Sequence, residues 1–82
     1  MPKEKTLISV IIPLYNGAAL IERCLNSVFE QEGDFSLEVI VIDDGSTDNS
    51  VEKIKNYKKP ITLIQQSNEG AASARNKGIN NA

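Results

Sequence analysis

The sequence predicts an α/β fold: a three-stranded parallel β-α-β-α-β-α half of a doubly wound domain, with strand order 3-2-1. Three observations predict it. Short apolar runs recur at Leu7–Ile12, Leu37–Asp43 and Ile61–Gln65, as expected of strands buried in a sheet. Stretches of helical pattern separate and follow them, so strands alternate with helices. Each strand leads into a short polar turn and then a helix, the connection that right-handed crossovers require.

Leu7-Ile8-Ser9-Val10-Ile11-Ile12 is the first strand, ended by Pro13, which cannot donate to a ladder. Leu14-Tyr15-Asn16-Gly17 is a loop. A helix is expected from Ala18 to Gln31, where Ile21, Cys24, Leu25 and Val28 recur at i, i+3, i+4, i+7 and Phe29 widens the stripe. Cys24 is therefore read as a small core residue. Gly33 stops the helix. Leu37 to Asp43 is the second strand, apolar on both faces. Asp44 to Asn49 forms an acidic turn, and any of Ser46 to Asn49 suits the cap of a second helix, Ser50 to Lys58. Lys53, Lys55, Lys58 and Lys59 read as a solvated face that complements the helix dipole. Pro60 leads to the third strand, and a third helix starts at Ala71.

A chain of 82 residues holds one small domain. Its net charge of −2 offers no basic excess, so no nucleic-acid partner is expected. There is no histidine, which removes His bases, Ser-His-Asp triads and His-ligated metals. The single cysteine excludes an internal disulfide and fits a reducing, cytoplasmic compartment. Met1-Pro2-Lys3-Glu4-Lys5 is polar, unlike a signal peptide. No run approaches the ~18 apolar residues of a membrane span. The first strand is apolar on both faces yet would form a sheet edge, so homo-oligomerisation through that edge is expected.

The residues with chemistry cluster where strands end. Asp43 and Asp44 close the second strand, at the carboxyl end where open α/β sheets bind ligands. Ionised carboxylates are acceptors only, suited to a ribose hydroxyl, a base imide N–H or a cation. Adjacent residues of a strand point to opposite faces, so the two acids should differ in role. The competing reading is that both merely cap turns. Tyr15 follows the first strand, with its ring available to stack on a base near Asp44. Pro13 shapes the loop. Gly70, Ala71, Ala72, Ser73 and Ala74 are small, which admits close approach either to a ligand or to the sheet. The third helix's N-terminus favours an anion such as a diphosphate, with Arg75 or Lys77 adding charge. A dinucleotide fingerprint and a P-loop are both absent. A phosphatase-type Asp motif fails because its nucleophile would fall at Ile42.

Three segments together resemble family 2 glycosyltransferases: Ile8-Ser9-Val10-Ile11-Ile12-Pro13-Leu14-Tyr15-Asn16, Val39-Ile40-Val41-Ile42-Asp43-Asp44-Gly45-Ser46-Thr47-Asp48, and Asn68-Glu69-Gly70 with Ala74-Arg75-Asn76-Lys77-Gly78. The resemblance implies a Rossmann-like, truncated half of a GT-A domain, with residues 1–82 forming one partial nucleotide-sugar-binding domain that lacks its C-terminal part. It implies a nucleotide-sugar donor, most often a UDP-sugar, an acceptor hydroxyl, and a role in cell-envelope polysaccharide synthesis, at the inner membrane face in the full-length protein. Nucleotide contacts would fall to Pro13 and Tyr15 at the base, Asp44 at the imide N–H, Asp43 at the turn or ribose, and Arg75 and Asn76 nearby. Such enzymes use Mg or Mn held by a later acidic motif, and a later acid as base. No acid follows Glu69, so the chain alone is expected to be inactive, with no catalytic or metal residue of its own.

Two other classes remain. A receiver-like phosphoacceptor module also pairs acids after a buried strand, but after its first strand, with an acceptor Asp ending the third. Here the third strand ends at Gln65-Gln66. A non-catalytic, self-associating module predicts no nucleotide affinity.

Overall fold

A computed structural model describes residues 6–31 and 33–82. The polar stretch Met1 to Lys5 lies outside the described residues. The elements run β1 (Thr6–Leu14), α1 (Ala18–Phe29), β2 (Phe35–Asp43), α2 (Ser50–Lys55), β3 (Thr62–Gln65) and α3 (Ala71–Asn81). They form one parallel three-stranded sheet in the order β1-β2-β3, read from the other side as 3-2-1.

Central β2 explains the two-layered core. Its residues alternate between faces. Val39 and Val41 pack with Leu14, Ile21, Leu25 and Ile54 on the α1 and α2 side. Ile40 and Ile42 pack with Ala74 of α3 on the other. Right-handed crossovers place α1 and α2 on one face; α3 crosses to the opposite one and lies back over β2 and β1. Residues 39–44 are all buried, as a run apolar on both faces should be.

Four details differ from expectation. The strand β1 continues through Pro13 to Leu14, with Pro13 opposite Ile42. Leu14 carbonyl oxygen accepts from Asp44 N–H at 2.8 Å. Strand alternation therefore turns Pro13 nitrogen to the free edge, where no ladder donor is needed. Cys24 is exposed, not in the core. Phe29 stacks on Tyr57, ring centroids 5.7 Å apart, and this rotates the buried stripe of α1 away from Cys24. Helix α2 stops at Lys55 rather than Lys58, because Tyr57 N–H turns back to Ile54 carbonyl oxygen at 3.1 Å and its ring joins Phe29. Lys53 is not simply solvated: its Nζ donates to Ala18 carbonyl oxygen at 2.9 Å and faces Glu22 at 3.9 Å.

Close packing of α3 depends on small residues. Ala74 and Gly78, one helical turn apart, are both buried against the sheet. A Cβ on Gly78 would stand 2.3 Å from Ile11 Cγ2. Gly to Ala in a helix ordinarily stabilises by roughly 0.5–1 kcal/mol, whereas overpacking a core costs about 1–3 kcal/mol. Gly78→Ala is therefore expected to lower the urea midpoint, and adding Ile11→Ala to recover part of the loss. A raised midpoint in the single variant would show that α3 does not sit this close to β1.

Candidate functional site

The carboxyl ends of β1 and β2 bring Pro13, Tyr15, Asp43 and Asp44 together. Pro13 and Leu14 stand in register with Ile42 and Asp43. The peptide that joins Leu14 to Tyr15 accepts Asp44 N–H, so Tyr15 leaves the sheet next to Asp44. Tyr15 is half exposed, at 51% of its free surface. The winding of the sheet reverses after β3, since α3 returns over the opposite face. Open α/β sheets take ligands at the carboxyl ends of their strands, where strand order reverses; here that place is the edge of β1, the strand to which α3 returns.

The two acids do different work, as their alternation requires. Asp43 turns into its own loop: one oxygen accepts Ser46 N–H at 3.1 Å and the other accepts the Ser46 hydroxyl. Asp44 reaches across to the β3–α3 connection. Its Oδ1 accepts Glu69 N–H at 2.6 Å and Gln66 Nε2 at 2.9 Å, and its Oδ2 accepts Gly70 N–H at 2.9 Å. These bonds, led by that of Glu69 and then Gln66, hold the Asp44 carboxyl below the usual carboxylate range, against the opposing effect of its burial. Gly70 precedes α3 with φ +96 and ψ 158, a conformation that only glycine adopts without strain.

Two acids stand beside the expected anion site at the start of α3. The N–H groups of Glu69 and Gly70 already serve a carboxylate, and Glu69 adds a second negative charge that pairs with Lys77 at 3.8 Å. A diphosphate directly on this helix end would meet two acids. The small residue Ala74 serves the sheet rather than a ligand. The side chains of residues 71 and 72 lie outside the described ones. Arg75 and Asn76 are exposed on α3, and neither is among the groups bonded to Asp44.

Four further residues brace this end of the sheet, and two of them, Ser46 and Asp48, lie in the stretch read from the sequence as cap candidates. Asn16 has φ +49, and its Oδ1 accepts Thr47 N–H at 2.7 Å. Ser46 Oγ accepts Asn16 N–H at 2.9 Å. Asp48 accepts Ser50 N–H at 3.0 Å and Ala18 N–H at 3.2 Å, so one side chain caps the first turns of both α2 and α1. The bond from the Ser50 hydroxyl lowers the Asp48 pKa, with the backbone bonds adding to it. Gln66 is buried; its Nε2 donates to Asp44 and its Oε1 has no partner among the described residues. For Asn16 the sequence signal is the Tyr-Asn-Gly run, since Asn tolerates left-handed backbone.

Residues 9–82 match the family model described as glycosyl transferase family 2. The chain belongs to this family. It is 47% identical over 82 residues to the uncharacterized glycosyltransferase YibD of Escherichia coli K12, covering 96% of this chain and 24% of YibD. It is 40% identical over 77 residues to glycosyltransferase GlyA of Streptococcus pneumoniae, covering 90% and 11% respectively. Among solved structures it resembles the mannosyltransferase PcManGT of Pyrobaculum calidifontis in complex with GDP-Man and Mn2+, with a TM-score of 0.82, 31% identity, and coverage of 98% of this chain and 25% of that one. The chain therefore spans a quarter or less of these relatives, and its Rossmann-like sheet corresponds to a portion of a GT-A fold.

Among the described residues no three acids or cysteines come together as a metal site. Asp43 and Asp44 are both engaged by their own chain, so the residues present do not fit the divalent ion expected of such enzymes. No described helix is long and apolar enough to cross a membrane.

The lowered carboxyls of Asp44 and Asp48 set a sign for acid stability. A folded-state pKa below the unfolded one contributes stability that is present above the ordinary carboxylate value and is lost as pH falls through the folded value. Urea midpoints should thus fall on acidification below the ordinary range. Asp44→Asn should be less stable at pH 7 and should show a shallower acid decline. An unchanged acid decline in that variant would contradict the bonding described.

Proposed function

We propose that this chain is the nucleotide-binding portion of a glycosyltransferase that moves a sugar from a nucleoside-diphosphate sugar to an acceptor hydroxyl. Family 2 membership supports sugar transfer. The observation that carries the nucleotide reading is the Tyr15 peptide bonded to Asp44 at the carboxyl ends of β1 and β2. In this reading Tyr15 stacks on the base, Pro13 shapes the wall behind it, Asp43 keeps the turn in shape, and Arg75 and Asn76 approach the nucleotide from α3.

Asp44 is read as the group that faces the base edge. A carboxylate offers about four acceptor positions, and three donors already use Asp44. By this count one position on Oδ2 is left for a ligand N–H, on a residue 5% exposed. Uracil and guanine both present a ring N–H there; adenine and cytosine present a lone pair, which an acceptor repels. UDP-sugars, expected from the sequence, and GDP-sugars, as in the PcManGT complex, both satisfy this chemistry. We read the Mg or Mn ligands and the general base as lying in the remainder of a longer protein, of which residues 1–82 are one partial domain.

NMR titration of the 82-residue chain tests this. UDP or GDP should shift Tyr15, Asp43, Asp44 and the Gly70–Asn76 region, at least tenfold more tightly than CDP or ADP. Equal binding of all four would remove the base-edge role of Asp44. The chain with donor, Mn2+ and acceptor should yield no transferred sugar; measurable product would contradict the division of labour proposed.

A further inference from the structure

We propose that Asn16 is a positioning residue for nucleotide binding, which acts by locking the β1–α1 connection so that the Tyr15 ring is held ready at the crevice. This rests on the reading of Tyr15 as the base platform. The connection is only Tyr15, Asn16 and Gly17, between β1 at Leu14 and α1 at Ala18. Among the described residues Asn16 is the one non-glycine with positive φ, at +49. That left-handed backbone is tolerated by Asn and Gly and resisted by most other residues.

The Asn16 side chain binds the neighbouring loop several times over. Its Oδ1 accepts Thr47 N–H at 2.7 Å, the Thr47 hydroxyl at 3.3 Å and Asp48 N–H at 3.4 Å. Its own N–H donates to Ser46 Oγ at 2.9 Å, and Ser46 is in turn bonded to Asp43. On the other side of Tyr15, Leu14 carbonyl oxygen accepts Asp44 N–H at 2.8 Å. Beyond Gly17, Asp48 Oδ2 accepts Ala18 N–H at 3.2 Å. Tyr15 is thus flanked by anchored backbone on both sides while half of its own surface stays open. An aromatic on backbone anchored in this way stacks on a base at a smaller ordering cost than one on a free loop.

The requirement is specific to Asn. Gly keeps the backbone and loses the acceptor; Ala loses both; Asp keeps an acceptor but adds charge beside Asp43, Asp44 and Asp48. The test compares the 82-residue chain with Asn16→Gly, Asn16→Asp, Tyr15→Ala and the Tyr15→Ala/Asn16→Gly pair. Without ligand, backbone order parameters at residues 15 and 17 should fall from a rigid ~0.85 to below ~0.6 in Asn16→Gly, while the amides of Leu25 and Ile54 stay protected. Asn16→Asp should keep the loop rigid. With UDP or GDP, Asn16→Gly should weaken binding about tenfold, but less than twofold when Tyr15 is already Ala, since a residue acting through Tyr15 has nothing left to position. A rigid loop in Asn16→Gly, or equal losses in both backgrounds, overturns the proposal while leaving the functional reading intact. A wild-type chain that binds neither nucleotide overturns the functional reading and the role of Asn16 with it.

Discussion

The Asp44 carboxylate ties together three segments that are far apart in sequence. Its backbone N–H ends the β1 ladder, and its oxygens take Gln66 Nε2 and the N–H groups of Glu69 and Gly70. The three bonds to the carboxylate are charge-assisted, the stronger kind of protein hydrogen bond. Without it, two backbone donors at the turn into α3 would lose their acceptor. The direction in which α3 leaves the sheet, and hence which face it covers, depends on this turn. Gly70 makes the turn geometrically open, and Asp44 makes it electrostatically closed.

A second set of bonds organises the other loops at this end of the sheet. Asn16 and Asp48 join the β1–α1 and β2–α2 loops side chain to backbone, and Lys53 returns from α2 to the first turn of α1. Both sets lie at the carboxyl ends of the strands. At the amino ends the described residues carry a single side-chain bond between strands, Ser9 to Glu38 at 3.0 Å; β1 is exposed from Thr6 to Ser9, and Leu7 and Ile8 keep much of their surface. Side-chain hydrogen bonds among the described residues are therefore concentrated where Tyr15 and the two acids stand, the kind of support that the proposed site calls for.

Much of the architecture was legible in the sequence because strand and helix periods differ and alternate cleanly. The run Val39 to Ile42, apolar at every position, could only be central, and it is. What sequence could not reveal depends on contacts between elements. Cys24 fits the α1 stripe by spacing, yet the Phe29–Tyr57 stack turns it out to solvent. Pro13 reads as a terminator, but which strand edge its nitrogen faces is a property of pairing. The positions of Asp43 and Asp44 were readable, and the bonds they make are those of the competing reading, with Asp43 on Ser46 in its own turn and Asp44 on the turn into α3. That Asp44 reaches residues more than twenty positions away, and that Asp48 caps two helices, required the fold. Gln66 gave no signal, because a polar residue at a strand end is ordinarily solvated.

The central claim is that the crevice between Tyr15 and Asp44 receives a nucleobase. The most direct measurement is intermolecular nuclear Overhauser contact between bound nucleotide and the chain, with UDP and GDP in turn. The account predicts contacts from the base protons, uracil H5 and H6 or guanine H8, to the Tyr15 ring. Base protons that contact instead the Tyr57 ring or the apolar amino end of β1, with none to Tyr15, would contradict it.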